Sequence, residues 1–388
     1  MIQGFSEIYE DAVALLEDLC TPEGILASTI EADNYKRIWA RDSIVCGLAG
    51  LKIGNDTVIE GLKNSLLTLA DHQNDLGMIP SNVLPKENDV SYGSLVGRID
   101  ANTWFVLGCC MYYQETKDES TWHILRPKVE KCLSFLKATE FNNKGWLYTP
   151  LSGNWADEYP VHGYTLYDNM LRLWGENLWN TIAGKEPLDS DRAFQNFWPS
   201  HETEEGHVYH KTAFQQLDPD SILHFIAFML PGKYDTRFDA AGNALALLQT
   251  RLNAHQKEKI SQFIDTLTSE IGSALIPAFW PMITEKSEDW NLLEGNYSFS
   301  FKNHPGAFHN GGIWPVWMGL FCWGLAKNGM HGEVKNIIST FVDVVREKPD
   351  WNFQEYIHGK TLALGGKTQM GYTASGIVFM KLALHLSE

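Results

Sequence analysis

Phe308-His309-Asn310-Gly311-Gly312-Ile313-Trp314-Pro315 sets two adjacent glycines among a histidine, an amide and an indole. The glycines let the backbone come close to whatever it faces, and His309, Asn310 and Trp314 offer a ligand two polar edges and a flat plate. Taken alone, the stretch also fits a tight turn. From residue 311 to about 328, however, apolar residues recur at a spacing of three and four, so it reads as a polar, aromatic loop feeding a buried helix.

The same reading repeats outward in both directions. Helical periodicity marks 5–20, 42–53, 56–72, 101–117, 119–139, 164–182, 218–229, 236–250, 253–270, 331–346 and 368–386. With 311–328 this makes about twelve helices. Strand-like alternation is scarce, and 141–160, 277–310 and 348–366 read as long loops rich in Trp, Gly, Pro, Asn and Asp. An all-α chain of helical hairpins follows, stacked either as a closed ring or as an open solenoid, between which the period does not choose. No Pro/Gly/Ser-rich linker or charge block divides the chain, so residues 1–388 are expected to form a single domain.

Composition narrows the function. The 388 residues are 44% hydrophobic and 20% charged, which suits a large buried core. A formal net charge of -17 and a pI near 5.2 repel phosphate backbones and anionic lipid, so neither nucleic acid nor membrane is an expected partner. Six cysteines without CxxC spacing fit a reducing compartment, and the acidic N-terminal stretch reads as cytoplasmic. Oligomeric state is not written in the pattern. Trp39, Trp146, Trp155, Trp290, Trp314 and Trp351 fall in polar loops, where an indole face can stack on a sugar.

Four further clusters hold polar chemistry. Asn34-Tyr35-Lys36-Arg37-Ile38-Trp39-Ala40-Arg41-Asp42-Ser43 sets Arg41 and Asp42 beside two aromatics, and Asp42 serves equally as a helix cap or as a ligand for hydroxyls. Gly97-Arg98-Ile99-Asp100-Ala101-Asn102-Thr103-Trp104 places Asp100 before another apolar helix, where capping is the simpler role. In Asn154-Trp155-Ala156-Asp157-Glu158-Tyr159, adjacent acids lie among aromatic residues, and partial desolvation would raise a carboxyl pKa toward that of a proton donor. Phe353-Gln354-Glu355-Tyr356-Ile357-His358 isolates one carboxylate suited to activating water. Gly366-Lys367-Thr368 lacks the first glycine of a phosphate loop, and the 201–210 stretch, although rich in His and Glu, lacks HExxH, so neither nucleotide nor metal is assigned and no cofactor is invoked.

Taken in order, these clusters resemble the neutral/alkaline invertase family and its amylo-alpha-1,6-glucosidase relatives, inverting glycoside hydrolases built on an (α/α)6 barrel. The resemblance rests on Arg41-Asp42, on Asp100 through Trp104, on Asp157 with Gly163-Tyr164, and on Arg237-Phe238 followed by Gly242-Asn243. Its strongest pieces are His309 through Pro315 and Glu355-Tyr356 with Gly359-Lys360. It implies Asp157 as general acid and Glu355 as general base, with Tyr35, Trp39, Arg41, Asp42, Asp100, Trp155, Glu158, Tyr164, His309, Asn310 and Trp314 around the substrate, a sucrose or a small α-glucoside. Glu158-Tyr159-Pro160 replaces the invertases' paired arginines, and Tyr167 to Asn169 is closer to the glucosidase relatives.

Two carboxyls meet the chemistry. The leaving oxygen takes a proton from one while water loses a proton to the other, and a separation of roughly 6.5–9.5 Å leaves room for that water and gives inversion. Two rivals use the same elements. A sugar epimerase or lyase on this fold would present facing histidines, and a non-catalytic carbohydrate-binding protein would lack one acid's partner.

Overall fold

The computed structural model describes residues 2–30, 35–93, 96–141 and 145–387. Among these described residues twelve helices carry the architecture: α1 (Phe5–Asp18), α2 (Ala40–Ile53), α3 (Asp56–Asp71), α4 (Ile99–Thr116), α5 (Glu119–Ala138), α6 (Leu166–Ile182), α7 (Asp191–Phe197), α8 (Ala240–Gln249), α9 (Ala254–Ile271), α10 (Pro315–Lys327), α11 (His331–Arg346) and α12 (Gly371–His385). One-turn helices at Lys211–Phe214 and Trp290–Glu294 lie in the connections.

The even-numbered helices form an inner ring. Each packs on the next, α2 on α4, α4 on α6, α6 on α8, α8 on α10 and α10 on α12, and α12 returns to α2. That last contact closes the (α/α)6 barrel. An outer layer packs on this ring, with α1 against α12, α3 against α2 and α4, α5 against α4, and α11 against α10 and α12. Composition explains the layering. In α4 every residue from Ile99 to Tyr112 is buried, and in α12 so is every residue from Gly371 to Met380, so these helices are apolar all round. In α1 only Phe5, Ala12, Leu15 and Leu16 are buried, a single inward stripe.

Short strands sit at the end of the ring where inner helices begin. β1 (Ile38–Trp39), β2 (Asn82–Leu84) and β3 (Asp89–Ser91) form one antiparallel sheet, and β1 runs directly into α2. β4 (Tyr164–Thr165), β5 (Ile226–Leu230), β6 (Lys233–Asp239) and β7 (Phe279–Trp280) form a second, from which β4 enters α6 and β6 enters α8. β8 (Tyr356–Ile357) pairs with β9 (Leu364–Gly365) beside Glu355.

The sequence reading needs correction here. Segment 218–229, expected as a helix, is a 3-10 turn at Pro219–Ser221 followed by β5, and 236–250 is strand up to Asp239 before α8 begins. Ile226 to Met229 are all buried, so the strand shows a continuous apolar run rather than alternation. No described helix is long and apolar enough to cross a membrane.

Candidate active site

The N-terminal ends of the inner helices supply the floor. Asp42 is the third residue of α2 and Asp100 the second of α4, and neither side chain caps its helix. Asp100, 1% exposed, accepts from Arg41 Nη1 at 2.7 Å and from the Tyr167 hydroxyl at 3.4 Å. It therefore holds Arg41 in place, which corrects the capping expectation. Arg41 lies over the Tyr372 ring at 5.7 Å, with its Nε 3.7 Å from Asp42 Oδ2. Asp42 Oδ2 is buried with no hydrogen-bond partner, and burial raises the Asp42 pKa.

Glu355 forms one wall. It is buried, and its Oε1 accepts from the Tyr35 hydroxyl at 2.8 Å. Burial raises its pKa to about 6, against the opposing pull of the Tyr35 hydrogen bond and the Lys302 charge. Tyr35 thus contacts a carboxylate, whereas the sequence pointed only to a sugar. Glu355 is seated by glycines. A side chain at Gly366, whose φ is +76°, would put its Cβ 2.3 Å from Glu355 Oε2. The β8 segment docks on the signature loop through paired bonds between Ile313 and Ile357, 2.8 and 2.9 Å, and Gly359 approaches the Gly311 carbonyl so closely that a Cβ would come within 2.1 Å. The rejected phosphate-loop lookalike at 366–368 is the backing of this wall.

Asp157 lies in a second loop, within electrostatic reach of Tyr35 and Arg41. Its Oδ2 pairs with Arg98 Nη2, while Arg98 Nη1 donates to the carbonyls of Ser152 at 2.9 Å and Asn154 at 3.2 Å. Burial pushes the Asp157 carboxyl up, but the charges of Arg98 and Arg41 and the Arg98 hydrogen bond outweigh it and hold the pKa below the ordinary value. The raised value expected from desolvation is therefore corrected, because a cation from the start of α4, Arg98, reaches the carboxylate. Nothing in the sequence around Arg98 signals this role, since only the fold brings it across to residue 157. Glu158 accepts from the Ser298 backbone at 3.2 Å, with Oε2 buried and unpartnered, and burial raises its pKa.

Trp155, next but one to Asp157, and Tyr356, next to Glu355, belong to one aromatic box. Trp155 stands edge-on to His309 at 5.1 Å and to Trp314 at 5.4 Å, His309 stacks on Trp314 at 5.4 Å, and Trp314 stacks on Tyr356 at 6.0 Å. Burial lowers the His309 pKa to about 3, and its Nδ1 and Trp155 Nε1 are buried without partners. The rings packed on His309 are Trp155, Phe308 and Trp314, so among the described residues no second histidine faces it as an epimerase pair would. Asn310 does not join the box. Fully buried, its amide bonds to the backbone of Ile283 at both ends, 2.7 and 2.8 Å, and to the Asn303 carbonyl, which fixes the loop. Tyr164 belongs to a different cluster, with Trp146, Tyr148 and Tyr209, and Trp39 is half-buried where β1 pairs with β2. Both catalytic candidates act on one group, since Glu355, Asp42 and Asp157 all raise the pKa of the Tyr35 hydroxyl once burial has done so. Among the described residues no group of three or more His, Cys, Asp or Glu could hold a metal ion.

Residues 211–388 match the family model described as alkaline and neutral invertase, a segment that holds His309, Trp314 and Glu355. The chain is a glycoside hydrolase related to these invertases. The probable alkaline/neutral invertase F of Arabidopsis thaliana is 24% identical to the hydrolase over 89% of this chain and 80% of its own length. Among solved structures, the GH63 mannosylglycerate hydrolase of Thermus thermophilus in complex with glucose aligns with a TM-score of 0.64 at 14% identity, covering 96% of this chain and all of that one. The glucoamylase of Saccharomycopsis fibuligera aligns with a TM-score of 0.61 at 9% identity, over 98% of the hydrolase and 95% of its own chain. At such identities these two likenesses establish a shared helical barrel and nothing narrower.

Proposed function

We propose that this hydrolase cleaves sucrose or a small α-glucoside with inversion, Asp157 acting as general acid and Glu355 as general base. The observation that carries the reading is that carboxyls from two loops far apart in sequence, Asp157 and Glu355, both lie within electrostatic reach of the Tyr35 hydroxyl beside an aromatic box. Asp157 is held low by Arg98, and Glu355 is raised to about 6 by burial. The general acid of such a pair is the carboxyl with the raised pKa, so this resting order has to invert when the glycoside binds. Asp157 Oδ would give its proton to the glycosidic oxygen as the C–O bond breaks and the electron pair goes to that oxygen. Glu355 would take a proton from the water attacking the anomeric carbon on the other face.

The box supports a sugar ligand of limited size. Trp155 and Trp314 offer apolar faces, and the unpartnered Asp42 Oδ2, His309 Nδ1 and Trp155 Nε1 offer one acceptor and two further polar edges for hydroxyls. Such groups keep the reacting centre aligned. The test is to incubate the protein with sucrose, maltose, isomaltose, trehalose and glucosylglycerate beside Asp157→Asn and Glu355→Gln. Hydrolysis of one of them, reduced about a hundred- to ten-thousand-fold in each variant, is expected. Undiminished turnover in either variant would remove its residue from the mechanism.

A further inference from the structure

Arg98 is the group in the site whose geometry the two-acid reading does not use. It stands at the N-cap of α4, 6% exposed, and its guanidinium spans the loop that carries Asp157. One nitrogen reaches two carbonyls of that loop and the other reaches the carboxylate. The attachment continues along the backbone, where Ile99 N–H donates to the Gly153 carbonyl at 3.0 Å and Asn102 Nδ2 to the Arg98 carbonyl at 3.0 Å. An arginine fork holding both the frame and the working end of one loop fixes that loop's position more tightly than a lysine could.

We infer that Arg98 is a positioning residue that clamps the acid loop to α4 and stores Asp157 as a carboxylate, which a bound glycoside must draw away from it before that carboxylate takes up a proton from solvent and passes it to the glycosidic oxygen. This rests on Asp157 being the general acid. In the resting site, burial leaves the proton on Glu355 up to about pH 6 while Asp157 stays ionised, and hydrolysis needs the reverse. The groups facing Asp157 are Arg98 from α4, Arg41 from α2, His309 from the signature loop and Tyr35 beside Glu355, with Glu158 next to it in its own loop. His309 is neutral above about pH 3, which leaves the two arginines as the cations, and Arg98 is the one that touches the carboxylate. The pair also serves the chemistry once the proton has left. Asp157 becomes a carboxylate as the leaving oxygen is protonated, and Arg98 stabilises the negative charge that develops there.

The experiment follows the Asp157 carboxyl directly by 13C NMR on protein labelled at the aspartate carboxyl carbons, its resonance assigned by its loss in Asp157→Asn. In the wild-type chain it titrates below the ordinary aspartate range, and in Arg98→Gln the titration moves up by about one unit or more, as removal of an adjacent opposite charge requires. An unmoved titration in a folded Arg98→Gln overturns the inference. So does a wild-type Asp157 that titrates at or above about 4, a result that needs no variant to fold. Hydrolysis by Asp157→Asn separates the two readings. Full activity there removes Asp157 as the acid and leaves the Arg98 pairing to be judged on the titration alone.

Discussion

The balance of the site turns on single contacts. The Tyr35 hydroxyl donates to the charged form of Glu355, so it lowers a pKa that burial has raised. Tyr35→Phe removes that donor and leaves the burial, so Glu355 should titrate about one unit above its present value of about 6, read by carboxyl 13C NMR against Glu355→Gln. A titration that falls or stays put would mean that the hydroxyl does not stabilise the anion. Much at this scale was legible. Short motifs point to Asp157, Glu355, Trp155, His309 and Trp314, and the fold packs the three rings together with the two carboxyls near Tyr35. Arg98 and Tyr35 were not read for what they do, because an ion pair across 59 residues and a hydrogen bond across 320 leave no local pattern. Asn310 was misread for the opposite reason, since a buried amide that closes a turn has the same sequence signature as one offered to a ligand.

The strand that enters an inner helix is the recurrent unit at the scale of elements, and it leaves acids at the helix starts. Asp168 near the start of α6 accepts from Thr149, Asn154 and Thr165, and Asp239 ends β6 at the mouth of α8. Burial raises both carboxyls to about 7, and each is raised further by another buried aspartate, Asp100 for Asp168 and Asp168 for Asp239. A folded pKa above the unfolded value of about 3.9 gives stability that is complete below about pH 4 and is lost as pH rises to about 7. Asp239→Asn, neutral at every pH, should therefore show a shallower loss of melting temperature between pH 4 and 7 and melt higher than the wild-type chain at pH 8. Calorimetry at pH 5 and pH 8 would show this, and an unchanged slope would contradict it. Eleven of the twelve helices follow the three-and-four spacing, whereas the seven-residue α7 is too short to show it. β5 was not, because a short strand buried on both faces has the same apolar run as a piece of inner helix.

Closure of the ring belongs to the whole molecule and had no signature in the periodicity, which fits a solenoid equally well. It is written in small residues where inner helices touch. At the α10–α12 contact a Cβ on Gly319 would lie 2.1 Å from the Gly376 carbonyl oxygen, and one on Gly376 would lie 2.2 Å from that of Pro315. Gly319→Ala gains up to about 1 kcal/mol in helix propensity. Against it stand backbone atoms that cannot rotate aside, and overpacking of this kind costs about 1–3 kcal/mol. The steric term wins, so the variant should melt several degrees lower, and a higher melting temperature would mean that α10 and α12 are not so closely packed. The closed ring matters to function because Arg41 and Asp42 come from its first inner helix and Glu355 from the chain just before its last. Only the return of α12 to α2 brings the two ends of the sequence to one pocket.

The most direct test of the two-acid account is the anomeric configuration of the first sugar released. With the hydrolysed glycoside added to the protein in an NMR tube, the anomeric proton signals are followed from the first seconds, before mutarotation mixes the forms. The account predicts that the inverted anomer appears first and the other only as mutarotation proceeds. If the retained anomer appears first, Glu355 attacks carbon rather than activating water, and the general-base assignment is wrong.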